Sequence, residues 1–338
     1  MKHRIVVIPG DGIGPEVIDS AKQVLCSCEV NIDWVEVEAG KGAIKEFGTP
    51  LPEHVLETIR DVGIALKGPI TTPIGKGFSS VNVALRKGLN LYANVRPINS
   101  RFGISDKFSG VDMVIFRENT EDVYSGLEQD IAPGVAQCLK IITKEASDRI
   151  AEFAFEFARN NGRKKVQAVH KANIMKKSDG MFLRSCQDVA SRYPEIEYGE
   201  IIVDNCAMQM VIRPQQFDVL VLTNLYGDII SDLGAGLVGG LGLVPGANYG
   251  VNLAVFEAAH GSAPDIAGKN MANPLAVILS SVNMMRYLGE GKVAEKIESA
   301  VIEMLADRKM LTPDLGGKAT TSELTQALIG KIELLGRS

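Results

Sequence analysis

Two aspartates stand four residues apart in Asp228-Ile229-Ile230-Ser231-Asp232. On a helix they share one face, where like charges repel by about a few tenths of a kcal/mol. A divalent cation reverses that penalty. A few hard oxygen ligands, with room left for substrate oxygens, suit Mg2+ or Mn2+. Leu225, Ile229, Ile230 and Leu233 make the helix largely apolar, so the pair is expected to be partly buried and in need of compensation. Asp204, expected at a strand end, is the candidate third ligand. A solvated acidic face is the plain alternative for an isolated pair.

Cations that could hold a polyanionic ligand are present nearby in type. Asn82 and Arg86, in Ser80-Val81-Asn82-Val83-Ala84-Leu85-Arg86, share a helical face. Arg96 and Arg117 follow, and three arginines at element ends offer planar forks to a multiply charged carboxylate. Surface or ion-paired arginines are the alternative. Lys171 closes a strand inside His170-Lys171-Ala172-Asn173. A neighbouring cation and partial desolvation would lower its pKa towards a usable base. Tyr124 follows the charged run Arg117-Glu118-Asn119-Thr120-Glu121 and is the candidate proton donor. Either residue alone is more often structural.

A fourth constellation is the small-residue turn from His260 to Gly268, His-Gly-Ser-Ala-Pro-Asp-Ile-Ala-Gly. Its backbone N–H groups can approach a pyrophosphate. Asp265 can accept from both hydroxyls of an adenosine ribose and repels a 2′-phosphate, which favours NAD over NADP. Gly10-Asp11-Gly12-Ile13-Gly14 also lies between a strand and a helix. It is one residue short of the dinucleotide fingerprint, so it is read as a tight turn.

These residues need strand ends to carry them. Apolar runs at Arg4–Ile8, Val30–Val37, Ile64–Lys67, Val111–Phe116, Val166–His170, Ile201–Asp204, Val219–Thr223 and Ala254–Glu257 read as strands. Stretches of helical period at Pro15–Cys26, Pro52–Val62, Ala146–Arg159 and from Ala272 onward alternate with them. The pattern is α/β, with its site beyond the strand ends. Leu233–Gly250, with seven glycines, reads as a connection between domains.

The 338 residues are 46% hydrophobic, which excludes a disordered chain and allows two domains. The net charge of −5 points to neither nucleic acid nor membrane as a partner, and no run of apolar residues is long enough to span a bilayer. The five cysteines are scattered and read as reduced thiols. The expected location is cytoplasmic.

Taken together, the segments from Gly10-Asp11-Gly12-Ile13-Gly14-Pro15-Glu16 to Asp314-Leu315-Gly316-Gly317, with Val203-Asp204-Asn205 among them, resemble the isocitrate and isopropylmalate dehydrogenase family. The resemblance implies a non-Rossmann two-domain fold with a large mixed sheet flanked by helices. Residues 1–99 and 247–338 would form a large cofactor-binding domain, and 100–246 a small domain for dimerisation, metal and substrate, with the active site in the cleft between them. It implies a homodimer with shared sites, alone or within a larger assembly. Lys171 and Asp204 would reach the neighbour's site, while Asp228 and Asp232 act in their own. Arg86, Arg96 and Arg117 would hold substrate carboxylates. Thr71, Thr72, the turn of His260, Gly261, Ser262, Ala263, Asp265 and Ile266, and Asn273 would hold NAD. Members acting on isopropylmalate carry leucines ahead of Arg86. Ser80 and Asn82 stand there instead, so isocitrate is the expected substrate. Homoisocitrate or 3-isopropylmalate as substrate, or a non-catalytic regulatory role, are the alternatives.

Overall fold

The computed structural model describes residues 2–71, 80–102 and 108–336. Thr72 lies outside them. Described strands are β1 (His3–Ile8), β2 (Ile32–Glu36), β3 (Ile64–Lys67), β4 (Ala93–Asn99), β5 (Asp112–Glu118), β6 (Glu128–Ala132), β7 (Val135–Cys138), β8 (Lys165–His170), β9 (Glu197–Ile202), β10 (Val219–Leu222), β11 (Pro245–Tyr249) and β12 (Ala254–Ala258). The α-helices are α1 (Gly14–Ser27), α2 (Lys41–Phe47), α3 (Glu53–Val62), α4 (Val81–Gly88), α5 (Lys144–Asn160), α6 (Ser178–Ala190), α7 (Val203–Ile212), α8 (Asn224–Val238), α9 (Leu275–Tyr287), α10 (Gly291–Asp307) and α11 (Thr321–Leu335). The chain is α/β, as its pattern predicts. None of the described helices is long and apolar enough to cross a membrane.

Two compact units form. The first comprises Met1–Leu89, Arg101–Lys107 and Val238–Ser338; the second comprises Asn90–Ser100 and Phe108–Leu237. The strand carrying Arg96 therefore belongs with the middle of the chain, where the sequence boundary at 99 had put it with the ends. The glycine-rich stretch after Leu233 is likewise helix as far as Val238, not simply a connection.

In the first unit the strands run in the order β2-β1-β3-β12-β11. β1 is parallel to β2 and β3, β3 is parallel to β12, and β11 is antiparallel to β12. Ile5, Val6, Val7 and Ile8 are all fully buried, so β1 is covered on both faces and reads as a continuous apolar run. Val17, Ala21, Val24 and Leu25 form the buried stripe of α1, at the spacing of one helical face. That stripe joins a core with Ile278, Val282, Ile297, Val301, Leu324 and Leu328 of α9, α10 and α11.

In the second unit the order is β4-β5-β10-β8-β9, with β4 antiparallel to β5 and the rest parallel. β6 and β7 form a separate exposed hairpin. Ile150, Ala151, Ala154, Phe155 and Ala158 bury one face of α5, which packs on β5, β8, β10 and α6. β9 ends at Ile202, and Asp204 sits in the first turn of α7 rather than closing a strand. An acidic residue there meets the positive end of the helix dipole.

The Gly10–Gly14 turn has a structural task. Gly10 and Gly12 adopt φ of +78° and +62°. A Cβ on Gly10 would lie 2.2 Å from the Pro69 carbonyl oxygen, and one on Gly12 would lie 2.0 Å from that of Ser262. Asp11 N–H donates to Pro69 O at 2.7 Å and Ile13 N–H to Ser262 O at 2.9 Å. The glycines thus let three backbone segments meet. Gly12→Ala adds both a clash and a disfavoured φ, so it is expected to lower the unfolding free energy by about 2–4 kcal/mol. A urea midpoint unchanged from wild type would mean that the segments part without cost.

Candidate active site

In the second unit, antiparallel pairing sets Asn94 opposite Arg117, and α8 runs against both strands. Gly227 makes that approach possible: a Cβ there would lie 2.6 Å from Cβ and Cγ of Arg117. Gly234 repeats the device two turns later against Ile98. Arg117, 1% exposed, donates from Nε to Asn224 Oδ1 at 2.9 Å and pairs through Nη1 with Asp228 Oδ1. Arg96 lies in the middle of β4, not at an element end. Its Nη1 donates to Ser231 Oγ at 2.6 Å and to Asp232 Oδ1 at 3.1 Å, and its Nη2 lies 3.9 Å from Asp228 Oδ1. Tyr124 donates its phenol proton to Asp228 Oδ2, and the Arg117 guanidinium lies 5.0 Å from its ring centre. Five of the residues expected to bind metal, substrate or proton thus form one cluster. Its arginines are buried, and its two carboxylates keep 37% and 58% of their side-chain surface exposed.

Lys171 lies just beyond β8, and its Nζ pairs with Asp204. That hydrogen bond to the ammonium is the main reason the Asp204 carboxyl is held below its usual range. Among the described residues, no group of three or more His, Cys, Asp or Glu able to hold a metal ion forms within the chain. The structure pairs Asp228 with Asp232 across Arg96, and Lys171 with Asp204, without joining the two sets.

The first unit carries a pocket of about 490 Å3 lined by Ile13, His260, Gly261, Ala263, Ile266 and Asn273, with Met271, Pro313 and Asp314. Its size suits a nucleoside-sized group. His260 Nδ1 lies 3.0 Å from Gly261 O, while its buried Nε2 has no hydrogen-bond partner among the described residues. Burial holds the imidazole pKa below its usual value. Thr71 Oγ1 and Ser262 Oγ are 2.6 Å apart, and Thr71 N–H donates to Asp11 Oδ2 at 2.8 Å. Asp265 is exposed on the turn. Asn273 is oriented by its bond to Asp314 Oδ2, at 3.0 Å, and by the Leu275 N–H. The wall is pinned from α11: Thr321 Oγ1 donates to Ala272 O at 2.7 Å, and the Thr320–Glu323 capping box secures that helix start.

Arg86, near the end of α4, meets Glu257 at 3.4 Å, and its buried Nε has no hydrogen-bond partner among the described residues. Ser80 is the N-cap of α4, accepting from Val83 N, and Asn82 is half-buried. Glu257 was not singled out from sequence, nor were Lys67, Asn248 and Asp314. Parallel pairing sets Glu257 beside Lys67, whose Nζ lies 2.6 Å from its Oε2, and Asn248 donates to Oε1 at 2.7 Å. The available signal was a charged residue near the end of a wholly apolar strand, the same one that flagged Lys171.

Burial alone would raise the Glu257 pKa, but Lys67 and Arg86 outweigh it and hold the group at about 2, against 4.5 when free. A carboxyl depressed in the folded state stabilises above its unfolded pKa and loses that contribution as pH falls towards the folded value. Glu257→Gln is therefore expected to flatten the stability profile between pH 4.5 and 2. Urea midpoints across that window would show it; a slope equal to wild type would remove the charged triad from the account.

A family model described as isocitrate/isopropylmalate dehydrogenase matches residues 4–328. A regulatory subunit of the mitochondrial NAD isocitrate dehydrogenase of Dictyostelium discoideum is 54% identical, over 98% of this chain and 92% of its own length. A catalytic subunit of the mitochondrial NAD isocitrate dehydrogenase of Arabidopsis thaliana is 53% identical over 96% and 87%. A chloroplastic 3-isopropylmalate dehydrogenase of Solanum tuberosum is 52% identical over 91% and 86%. The solved isocitrate dehydrogenase of Methylococcus capsulatus superposes with a TM-score of 0.93 at 48% identity, covering 98% of this chain and 99% of its own. The isocitrate dehydrogenase relatives correct one expectation and bear on a second. Their mitochondrial names point away from a cytoplasmic location, which scattered reduced thiols do not distinguish from another reducing compartment. Their regulatory and catalytic subunit names point to assemblies of unlike subunits rather than a homodimer.

Proposed function

The chain belongs to the isocitrate/isopropylmalate dehydrogenase family, and on that premise we propose that it oxidises isocitrate to 2-oxoglutarate and CO2, reducing NAD with a divalent Mg2+ or Mn2+ ion. The observation that carries the reading is the cluster of Asp228, Asp232, Arg96, Arg117 and Tyr124. It is a set of hard oxygens, guanidinium forks and one phenol that suits a metal-bound polycarboxylate.

Asp228 and Asp232 would hold the cation in their own subunit, and Asp204 with Lys171 would serve the site of a neighbouring one. The separation of the two pairs within one chain supports that division. Without ligand, Arg96 and Arg117 neutralise the aspartates. A substrate whose carboxylates take the guanidinium groups releases aspartate oxygens for the cation, so the two ligands bind as a unit. In the first unit, Arg86 is assigned to a substrate carboxylate, with Ser80 and Asn82 as polar neighbours. The NAD adenosine is assigned to the pocket, which His260 and Asn273 help to line. Gly261, Ser262, Ala263, Ile266 and Thr71 would line the cofactor, and Asp265 would accept from the ribose hydroxyls. Thr72 is assigned there by resemblance alone.

The cation supplies Lewis acidity at the C2 hydroxyl and its neighbouring carboxylate, and NAD supplies the hydride acceptor. Lys171 takes the hydroxyl proton, with Asp204 beside it to pass the proton on. The β-keto acid left by oxidation loses CO2 from C3. Tyr124, its phenol aimed by Asp228, returns a proton to C3.

A regulatory role is the second reading, favoured by the identity to a regulatory relative. Tyr124, Lys171, Asp204, Asp228 and Asp232 are all present, which supports catalysis. The deciding assay uses the purified chain with Mg2+ or Mn2+, NAD or NADP, and isocitrate, homoisocitrate or 3-isopropylmalate. NAD reduction with isocitrate is expected. Absence of turnover with all three substrates would favour the regulatory reading, and faster turnover of another would reassign the substrate. Mn2+ affinity, read by paramagnetic resonance, is expected to rise by about tenfold or more with isocitrate present; an affinity indifferent to isocitrate would separate the arginines from the metal site. Asp265→Lys with Ile266→Tyr is expected to shift preference towards NADP, and a constant NAD-to-NADP ratio of kcat/KM would count against the turn.

A further inference from the structure

In the second unit, the residues just after the β6–β7 hairpin lead to a buried cation that the proposed chemistry does not use. Lys140, 13% exposed, points its Nζ between two carboxylates that are both fully buried: Asp179 Oδ1 at 2.9 Å and Asp122 Oδ2 at 3.7 Å. It also lies 4.1 Å from the ring centre of Tyr226. Each carboxylate has a second task. Asp179 Oδ2 accepts the backbone N–H of Lys171 at 2.7 Å. Asp122 accepts the N–H of Val123 at 2.8 Å, which starts the turn carrying Tyr124, and the N–H of Leu225 at 3.0 Å in the first turn of α8.

Asp122 itself adopts φ of +71° and ψ of −151°, a conformation close to glycine-only that persists only where its surroundings impose it. Its own N–H donates to Ile141 O at 2.8 Å, so the segment holding Lys140 braces this residue twice. Remove the cation, and two buried carboxylates face each other with no counter-charge, the arrangement least tolerated in a protein interior.

We propose that Lys140 is a positioning residue whose ammonium, by joining Asp122 to Asp179, fixes the separate loops that carry Tyr124 and Lys171. The catalytic half of this inference rests on the decarboxylase reading; the structural half does not.

Lys140→Met, Lys140→Arg, Asp122→Asn and Asp179→Asn, each in the full chain, test it by steady-state kinetics and amide hydrogen exchange. Lys140→Met is expected to lower kcat by about 100-fold through misplaced groups, with KM for NAD little changed. Protection should fall in 121–126 and 170–175 together while β1 and α1 keep theirs. Lys140→Arg should recover most of the loss. Asp122→Asn should loosen the Tyr124 segment alone and Asp179→Asn the Lys171 segment alone. Wild-type exchange in both segments of a folded Lys140→Met protein would overturn the proposal. Should Lys140→Met not fold, the two asparagine variants decide, since each leaves one carboxylate matched to one ammonium. Split loosening supports the proposal, and joint or absent loosening overturns it. A wild-type chain inactive on isocitrate would overturn the proposed activity and leave the exchange result standing.

Discussion

Two guanidinium groups almost without solvent set the terms for the second unit. Arg96 and Arg117 cannot be buried unless negative charge lies within reach, and α8 supplies it at one-turn spacing. That requirement explains the helix's composition. Glycine at 227 lets its backbone close on Arg117, apolar residues bury its inner side, and the aspartates sit where the arginines emerge. The carboxylates stay partly exposed and the cations do not. The cluster is therefore a charge-balanced arrangement whose anionic side is open to solvent and whose cationic side is not.

The first unit follows the same rule with opposite roles. There the buried charge is the anion, Glu257, held between Lys67 and Arg86. Arg86, proposed to hold a substrate carboxylate, is thus already engaged in a structural ion pair. The pocket beside the His260 turn is mostly apolar, and the Asn273 amide on its wall is held by Asp314.

Much of this was legible in the residues. Strands ending in polar groups announced an α/β chain, and the spacing of Asp228 and Asp232 put them on one helical face, where they are. The arginine forks were visible as types, but not that Arg96 sits mid-strand, because β4 carries no clean alternation in Asn94-Val95-Arg96-Pro97. Asp204 was misplaced because a β-branched Val203 reads as strand while the chain turns into helix there. Glu257, Lys67 and Lys140 were missed for a common reason. Their partners lie far away in the chain or across a strand pair, and burial of a charge is invisible until the pairing is known. The Gly10–Gly14 turn shows the converse: a motif shaped like a phosphate loop serves backbone crossings instead.

The anchoring of the pocket wall to α11 ties the chain's last helix to what the pocket holds. Ala272 and Asn270 are fastened to Thr321 and Ser322, so the wall cannot shift without loosening that helix from the core. A nucleotide seated there would act on the far end of the polypeptide as a clamp, turning occupancy into resistance of the C-terminal segment to fraying and proteolysis.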